Sequence, residues 1–292
     1  MTSPTGDGLV VVDKPPGLTS HDVVARVRRL AGTRRVGHAG TLDPMATGVL
    51  LLGINRATRL LGHLTLTQKG YDATIRLGAT TVTDDAEGEV VDTTPADAVT
   101  DDAIAAGVAA LTGDIAQVPS SVSAIKVDGK RSYKRVREGE GVSLPPRPVT
   151  VRTFDVLEVR RSPGVVDVDV RVECSSGTYV RALARDLGAG LGVGGHLTML
   201  RRTRVGPYGL DVAHTLDSLA ESFVLLPIAD AARAAFPTRE VGAAESAVVS
   251  HGGLLPAGGT GEGPVAVFGP DGTFLALVED RGAVAKPVAV FV

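Results

Sequence analysis

The sequence predicts an α+β protein in which a large mixed domain is followed by a small β domain. Short buried strands at residues 9–12 and 49–52 alternate along the chain with segments of helical periodicity. Residues 165–174 alternate apolar and charged side chains, as a strand with one dry face does. Beyond Ala231 the composition changes to glycine, proline and short valine-rich strands. A chain of 292 residues is long enough for both domains, because it buries roughly three quarters of its unfolded surface.

The elements of the large domain are predicted in chain order. After the strand at 9–12, a helix is predicted with Ser20 as its N-cap and Gly32 at its C-terminal stop. Thr100 is predicted to cap a second helix. The other predicted elements are strands at 49–52, 71–77 and 165–174, a tight turn at 127–130 between two short strands, a basic helical segment at 132–139, and a helix through 182–187.

Changes in composition indicate where the chain divides. We predict a main domain at residues 1–230 and a small β domain at 237–292, in which a strand at 265–268 turns into a second strand at 274–278. Within the main domain, residues from about 118 to 148 are predicted to form a basic insertion that several prolines close.

Cysteine and histidine usage exclude several chemistries. Cys174 is the single cysteine, so the chain forms no internal disulfide, and we expect Cys174 to be buried in its strand. The six histidines lack the spacing of metal ligands, so no bound metal is expected. No N-terminal signal and no apolar run near the roughly 18 residues of a membrane span is present, which predicts a cytoplasmic protein with no membrane partner.

Residues 35–50 contain the strongest functional signal, because Asp43 is the only acid in a glycine-spaced run that leads into an apolar strand. The glycines allow backbone angles that other residues rarely adopt, and Pro44 disfavours helical geometry at Asp43. The pattern therefore predicts a shaped turn that presents a carboxylate. Scattered glycines and an Asp-Pro pair also form ordinary turns, so the prediction depends on the whole motif rather than on that pair.

Charge is distributed unevenly, although the formal net charge is only −3. Residues 82–114 contain nine acids and no Lys or Arg, and this segment is expected to face away from phosphate. Residues 121–161 contain ten bases against five acids, and arginines also cluster at 26–35 and 201–204. One such cluster is commonly just a solvated surface, but three clusters beside a presented carboxylate favour a polyanionic partner.

Four motifs occur in an order and spacing that resemble the TruB family of tRNA pseudouridine synthases. The Asp43 motif matches that family's Gly-His-x-Gly-x-Leu-Asp-Pro-x-Ala-x-Gly pattern. The other three motifs are Asp13-Lys14-Pro15-Pro16-Gly17, Lys69-Gly70-Tyr71 and Gly177-Thr178-Tyr179-Val180-Arg181. The resemblance implies a pseudouridine synthase fold, with a mixed, mainly antiparallel sheet, flanking helices, a central RNA-binding cleft and a small PUA-like C-terminal domain.

The same resemblance implies an activity. Members of the family isomerise uridine to pseudouridine, and the bacterial ones act at position 55 in the T-loop of tRNA after flipping the base out. Asp43 would be the nucleophile, attacking either C1′ of the sugar or the uracil ring, with a glycal route as a third possibility. The resemblance implies no cofactor, no metal, no guide RNA and no obligatory protein partner.

Further residues receive roles from the resemblance. Arg181 is expected to pair with Asp43 and keep it ionised, and Tyr71 to stack on the uracil and assist removal of the C5 proton. The predicted substrate-binding residues are Tyr179 as a second pocket wall, His38 in the gap left by the flipped nucleotide, Leu200 in the pocket lining and Lys14 in support of the motif loop. Without the resemblance, Arg181 also fits a phosphate contact, Tyr71 a core position and His38 a structural role.

The predicted RNA-binding residues are Lys126, Lys130, Arg131, Arg201 and Arg202. The first three lie in the insertion, which in the family closes over the RNA loop. Two other classes of function stay open at this point. A non-catalytic RNA-binding or tRNA-folding protein would tolerate loss of Asp43, and a metal-dependent hydrolase would be inactive in EDTA.

Overall fold

A computed structural model of the chain describes residues 6–120, 126–127, 130–131, 144–259, 261 and 263–292. Four of the predicted strands are longer than the sequence patterns indicate, and those at 165–174 and 265–268 have the predicted bounds. In chain order the strands are β1 (Gly8–Lys14), β2 (Val36–Ala39), β3 (Thr47–Ile54), β4 (Lys69–Leu77), β5 (Ala79–Thr81), β6 (Val90–Thr93), β7 (Gly113–Gln117), β8 (Lys126–Val127), β9 (Lys130–Arg131), β10 (Arg147–Ser162), β11 (Val165–Cys174), β12 (Gly195–Val205), β13 (Tyr208–Gly209), β14 (Leu226–Pro227), β15 (Thr238–Glu240), β16 (Leu255–Pro256), β17 (Val265–Phe268), β18 (Phe274–Arg281) and β19 (Val284–Val290).

Helices are fewer than strands among the described residues, and none of these helices is long and apolar enough to cross a membrane. They are α1 (Ser20–Ala31), α2 (Leu61–Thr65), α3 (Asp101–Ala110), α4 (Val180–Gly190), α5 (Leu216–Glu221), α6 (Ile228–Ala235) and α7 (Ala243–Ser250), with short 3-10 turns at Asn55–Arg59 and Leu210–Val212. The predicted α+β class is therefore confirmed.

Helix α1 begins one residue earlier than predicted. Thr19, not Ser20, is the N-cap: its hydroxyl accepts a hydrogen bond from the Asp22 N–H, and the Asp22 carboxylate accepts one from the Thr19 N–H. The predicted Ser20 cap is wrong because Ser20 is the first helical residue, and its hydroxyl is bound elsewhere. The predicted stop at Gly32 is confirmed, with φ of 64°.

The chain divides into two compact units. The first unit contains residues 1–44, 48–67 and 205–292. In it, β1 pairs antiparallel with β3 along its whole length, from Gly8 opposite Ile54 to Lys14 opposite Gly48. Because the Asp43 turn directly precedes β3, this register brings the end of β1 beside that turn.

The second unit contains residues 45–47 and 68–204. Its strands follow the order β12, β4, β11, β10, β7, and the pairs β4–β11, β11–β10 and β10–β7 are antiparallel. The β4–β11 register places Tyr71 opposite Val172 and Lys69 opposite Cys174. Cys174 is buried, as the alternation of its strand predicts. Burial also raises the pKa of its thiol to about 11.

The C-terminal residues form a separate sheet in the order β15, β17, β18, β19, β16. One face of this sheet shares an apolar cluster with the rest of the first unit, in which Phe268, Phe274 and Phe291 join Leu60 and Leu64. The predicted division into domains at 1–230 and 237–292 stays a prediction.

Candidate active site

The Asp43 turn lies between β2 and β3 in the first unit. Gly40 has a φ of 76°, in the region that side-chain-bearing residues rarely adopt, as the glycine spacing predicts. Leu42 is buried while Asp43 itself is only partly buried. The turn therefore buries an apolar neighbour while Asp43 stays partly exposed.

Ser20 holds the residue before Asp43. Its hydroxyl donates a hydrogen bond to the Leu42 carbonyl at 3.1 Å and accepts one from the Leu42 N–H at 2.9 Å. Ser20 is itself 1% exposed, so both bonds are shielded from water. This contact fixes the peptide on the N-terminal side of the carboxylate.

Lys14 and Gly17 hold the residue after Asp43. The Lys14 ammonium is completely buried and donates to the carbonyl oxygens of Pro15, Leu18 and Pro44 at 3.1, 2.6 and 3.1 Å. The Gly17 N–H donates to the same Pro44 carbonyl at 2.8 Å. Lys14 thus supports the motif loop as predicted, whereas its direct contact with substrate stays a prediction.

His38 lies on β2, two residues before Gly40. Its ring is partly buried and meets the ring of His21 edge-on, with centroids 5.5 Å apart. The predicted role of His38 beside a flipped nucleotide stays a prediction.

In the second unit, Lys69 and Tyr71 point to the same side of β4 because they are two residues apart. Tyr71 is 7% exposed and Lys69 is 6% exposed. Burial, helped by the charge of Arg202, lowers the pKa of Lys69 to about 8, while the nearby Cys174 opposes that shift. A lysine in this setting is costly to keep charged at neutral pH.

This burial predicts a pH-dependent stability. Between pH values of about 8 and 10.5, the unfolded chain binds more protons at Lys69 than the folded chain, so stability rises with pH there. Relative to a Lys69→Met variant, the wild type should gain up to about 3 kcal/mol in unfolding free energy across this window. Urea unfolding at several pH values measures the difference. Lys286→Met, at an exposed position, is the control, and a pH-independent difference for Lys69→Met would contradict the prediction.

Arg181 is the centre of a buried polar network in the second unit. It lies in the first turn of α4 and is 4% exposed. Its Nη1 atom donates hydrogen bonds to the Thr83 carbonyl at 2.6 Å and to the Ser120 hydroxyl at 3.2 Å. Its Nε atom lies 3.6 Å from a carboxylate oxygen of Asp85. The pairing of Arg181 with Asp43 that the resemblance implies stays a prediction.

The acid-rich residues 82–114 contribute two carboxylates to this network. Asp85 is 3% exposed and accepts hydrogen bonds from the Thr83 hydroxyl and the Glu87 N–H. Asp84 lies 3.5 Å from Arg185 and accepts a hydrogen bond from Ser120, although its burial raises its pKa. Residues 82–114 are expected to face away from phosphate, and two of their acids, Asp84 and Asp85, instead lie inside the fold beside arginines.

Tyr179 directly precedes α4 and is partly buried. The buried side-chain amide of Gln117, at the end of β7, makes hydrogen bonds to both its N–H and its carbonyl. The sequence patterns single out neither Gln117, Ser120 nor Asp85, and they indicate Ser20 only as a helix cap. Their roles come from contacts between distant segments, for which a single sequence carries no local signal.

The predicted residues on β12 differ in exposure. Leu200 is buried, and Arg201 is partly buried with Nη1 3.4 Å from the Thr47 hydroxyl. Arg202 is 1% exposed, because strand alternation turns it to the same inward side as Leu200. A buried guanidinium presents no surface to RNA, so the structure does not support the RNA contact predicted for Arg202.

The predicted turn in the insertion is consistent with the pairing of β8 with β9, in which Lys126 lies opposite Arg131 and Val127 opposite Lys130. The side chains of Lys126, Lys130 and Arg131 lie outside the described part of the structure, as do residues 132–139 of the predicted basic helix. Their predicted contacts with RNA stay predictions.

Comparison with known proteins identifies the family. Residues 28–180 match the family model of the TruB family pseudouridylate synthase N-terminal domain. Residues 181–232 match the tRNA pseudouridylate synthase B C-terminal domain, and residues 236–292 match the C-terminal domain of tRNA pseudouridine synthase II.

Similar proteins and structures agree with these matches. The protein named tRNA pseudouridine synthase B from Streptomyces griseus is 62% identical, with 98% of each chain covered. The protein of the same name from Paenarthrobacter aurescens is 63% identical, and the alignment covers 97% of this chain and 94% of that protein. The crystal structure of a Cbf5-Nop10-Gar1 complex contains a chain with a TM-score of 0.74 and 28% identity, covering 98% of this chain and 85% of that one.

These matches place the chain among the pseudouridine synthases, which are isomerases, and confirm the predicted fold class. Within that class, the chain belongs to the TruB family.

Proposed function

We propose that this chain converts uridine to pseudouridine at position 55 in the T-loop of tRNA, with Asp43 as the nucleophile and with neither a metal nor a guide RNA. The braced Asp43 turn is the observation that supports this most strongly. Ser20 holds Leu42 on one side of the aspartate, and Lys14 and Gly17 hold Pro44 on the other. A carboxylate on such a turn reaches its target with little loss of freedom, which is the geometry that nucleophilic catalysis requires.

The isomerisation breaks the bond from C1′ to N1 and forms a bond from C1′ to C5. The uracil ring turns in place, the C5 proton leaves and N1 gains a proton, so no oxidant, reductant or external energy source is needed. Asp43 attacks C1′ or the uracil ring in a first step, or assists a route through a glycal. In each case the carboxylate must be ionised and shielded from water that would compete for the opened sugar.

Arg181 and Tyr71 complete the proposed catalytic set. Arg181 supplies a positive charge that favours the ionised carboxylate of Asp43. Tyr71 supplies a ring for the flipped uracil, and stacking on an aromatic ring contributes about 1–3 kcal/mol per base. Tyr179, Leu200 and His38 are proposed to enclose the same base.

A groove in the first unit is suited to bind the RNA backbone. Its volume is about 400 Å³, and four arginines line it together with Asn55: Arg34, Arg35, Arg56 and Arg59. Two of these are oriented by the C-terminal strand and the residue after it, since Arg59 donates to the Val290 carbonyl at 2.6 Å and Arg56 to the Phe291 carbonyl at 2.9 Å. A phosphate bound there would meet donors that are already held in place.

Nucleotide-resolution mapping of pseudouridine tests the proposed function. The purified chain is incubated in EDTA with an unmodified T-arm stem-loop and no other RNA. We expect one new pseudouridine, at the position that corresponds to 55. Tight binding of the stem-loop without formation of pseudouridine would support the RNA-binding or tRNA-folding alternative instead. A parallel incubation without EDTA is the comparison, and activity only in that sample would support metal-dependent chemistry.

Replacement of Tyr71 should separate turnover from binding. Tyr71→Ala is expected to lower the single-turnover rate by about 5- to 150-fold, the equivalent of one stacked base, while the Kd for tRNA changes by less than about threefold. Val172→Ala is the matched control, because Val172 is buried directly opposite Tyr71 on β11. It should lower stability and leave the rate per folded molecule unchanged. Equal losses of rate and affinity in Tyr71→Ala would refute the assignment.

Replacement of Arg34 and Arg35 should weaken tRNA binding without slowing turnover. The Arg34→Ala/Arg35→Ala variant is expected to weaken tRNA binding and to reduce the slope of log Kd against log salt by about one unit for each lost phosphate contact. The rate at saturating tRNA should be unchanged. Arg76→Ala is the control, because Asp167 already neutralises Arg76 with bonds of 2.8 and 2.7 Å. An unaltered salt slope in the double variant would exclude the groove as a phosphate site.

A further inference from the structure

Gln117 makes a two-point contact with the backbone of Tyr179. Its Oε1 accepts a hydrogen bond from the Tyr179 N–H at 2.8 Å, and its Nε2 donates to the Tyr179 carbonyl at 3.1 Å. Gln117 is 2% exposed, so water does not compete for these bonds. A primary amide is the side chain that offers an acceptor and a donor side by side, which lets it match both groups of a single residue.

This contact is located where the chain enters α4, and the Tyr179 carbonyl there also accepts a hydrogen bond from the Leu183 N–H at 3.2 Å. Tyr179 is the N-cap residue of α4, with extended angles of φ −101° and ψ 108°, and its own side chain makes no capping hydrogen bond. Its N–H precedes the helix and is not part of the helical hydrogen-bond ladder. Gln117 therefore holds the peptide groups on both sides of the Tyr179 α-carbon, from which the phenol side chain projects.

Two neighbouring contacts hold Gln117 against the helix. The carbonyl of Val118 accepts a hydrogen bond from Arg185 at 2.7 Å, and the Ser120 hydroxyl accepts one from Arg181 at 3.2 Å. The segment at residues 117–120 thus follows the first turns of α4, with a polar contact at each turn. Gln117 is fixed at one end by β7 and at the other by these arginine contacts.

We propose that Gln117 is a positioning residue that orients Tyr179 for the isomerisation. The inference rests on the proposed function, in which Tyr179 forms a wall of the uracil pocket. Gln117 touches neither the substrate nor the reacting atoms; it acts only through the Tyr179 backbone. The amide is specifically required, because a carboxylate at the same position would place an oxygen against the Tyr179 carbonyl and lose the donor.

The test uses the full chain with a T-arm stem-loop, single-turnover rates and three variants. Gln117→Met removes both hydrogen bonds at similar volume, and we expect the rate to fall about 10- to 100-fold, as for a small displacement of a group in an active site. The Kd for the stem-loop should change by less than about twofold. Tyr179→Ala should be slow for the same reason, and Gln117→Met/Tyr179→Ala should be no slower than Tyr179→Ala alone.

Gln117→Glu adds a readout that a merely structural role would not alter. Protonation of the introduced acid restores a donor toward the Tyr179 carbonyl, so the rate of this variant relative to wild type should rise as pH falls. If Gln117→Met does not fold, this pH profile alone decides the question. Asp114→Ala is the matched control on β7, since it removes only an exposed hydrogen bond from Thr150 and should leave the rate unchanged.

Three outcomes would overturn the inference: a rate for folded Gln117→Met within twofold of wild type, rate losses that multiply in the double variant, or a flat relative pH profile for Gln117→Glu. None of these affects the proposed function as long as the wild type forms pseudouridine. A wild type that forms no pseudouridine would instead remove the proposed function itself.

Discussion

Asp43→Asn is expected to bind tRNA normally and to form no measurable pseudouridine. The amide has the size of the carboxylate and keeps one acceptor oxygen, so the turn that Ser20 and Lys14 hold should be preserved. It is a far weaker nucleophile, however, because it carries no negative charge. We expect the single-turnover rate to fall by at least about 10⁴-fold, which is in the range that loss of a nucleophile costs other enzymes.

The binding and stability of Asp43→Asn make this prediction specific. Its Kd for tRNA should stay within about twofold of wild type and its Tm should be unchanged. Asp22→Asn is the matched control, since Asp22 belongs to the α1 capping box and its replacement should lower stability slightly without slowing catalysis. Retention of more than a tenth of the rate by Asp43→Asn would show that this carboxylate is not the nucleophile.

Arg181→Met has the second largest expected effect, because it removes both the charge that we propose to act on Asp43 and the partner of the buried Asp85. Asp85 would be left with a carboxylate that is 3% exposed and has lost its arginine. Breaking a buried ion pair from one side destabilises proteins by about 3–5 kcal/mol. We therefore expect a large drop in unfolding free energy together with loss of activity.

A double variant separates the loss of stability from the loss of activity. Arg181→Met/Asp85→Asn removes both charges but keeps an acceptor oxygen for the Thr83 hydroxyl and the Glu87 N–H. Stability should then return most of the way to wild type, whereas the rate should stay as low as in Arg181→Met. Urea unfolding and single-turnover assays on the same samples measure both. Recovery of the rate along with stability would mean that Arg181 has only a structural role.

Local patterns in the sequence were sufficient for many elements of the fold. Alternation in β11, the apolar run of β3 and the glycine after α1 are each the direct consequence of a local rule. The Asp43 turn is equally local, since Gly40 adopts the predicted backbone geometry. These features depend on residues that are neighbours in the sequence.

Features that depend on distant partners were not predictable in this way. The Ser20 hydroxyl, for example, bonds the backbone of Leu42, 22 residues away, and no local pattern indicates that contact. Gln117 and Tyr179 are 62 residues apart, so no local pattern connects them.

Arginines were the least predictable residues for the same reason. The run at 201–204 has the composition of an RNA-binding cluster, but strand alternation buries Arg202. Asp84 and Asp85 have the composition of a solvated acidic surface, but Arg185 and Arg181 pair with them. Composition gives the sign of a charge, and only the fold decides which charges reach the surface.

The central claim is that the Asp43 carboxylate of this chain is the nucleophile of the isomerisation and acts without a metal or a guide RNA. The most direct test measures tritium release from a tRNA transcript whose uridines are labelled at C5, with wild type and Asp43→Asn compared in EDTA. The account predicts one equivalent of tritium released per tRNA by the wild type and none above background by Asp43→Asn. Equal release by both proteins, or no release by the wild type, would contradict it.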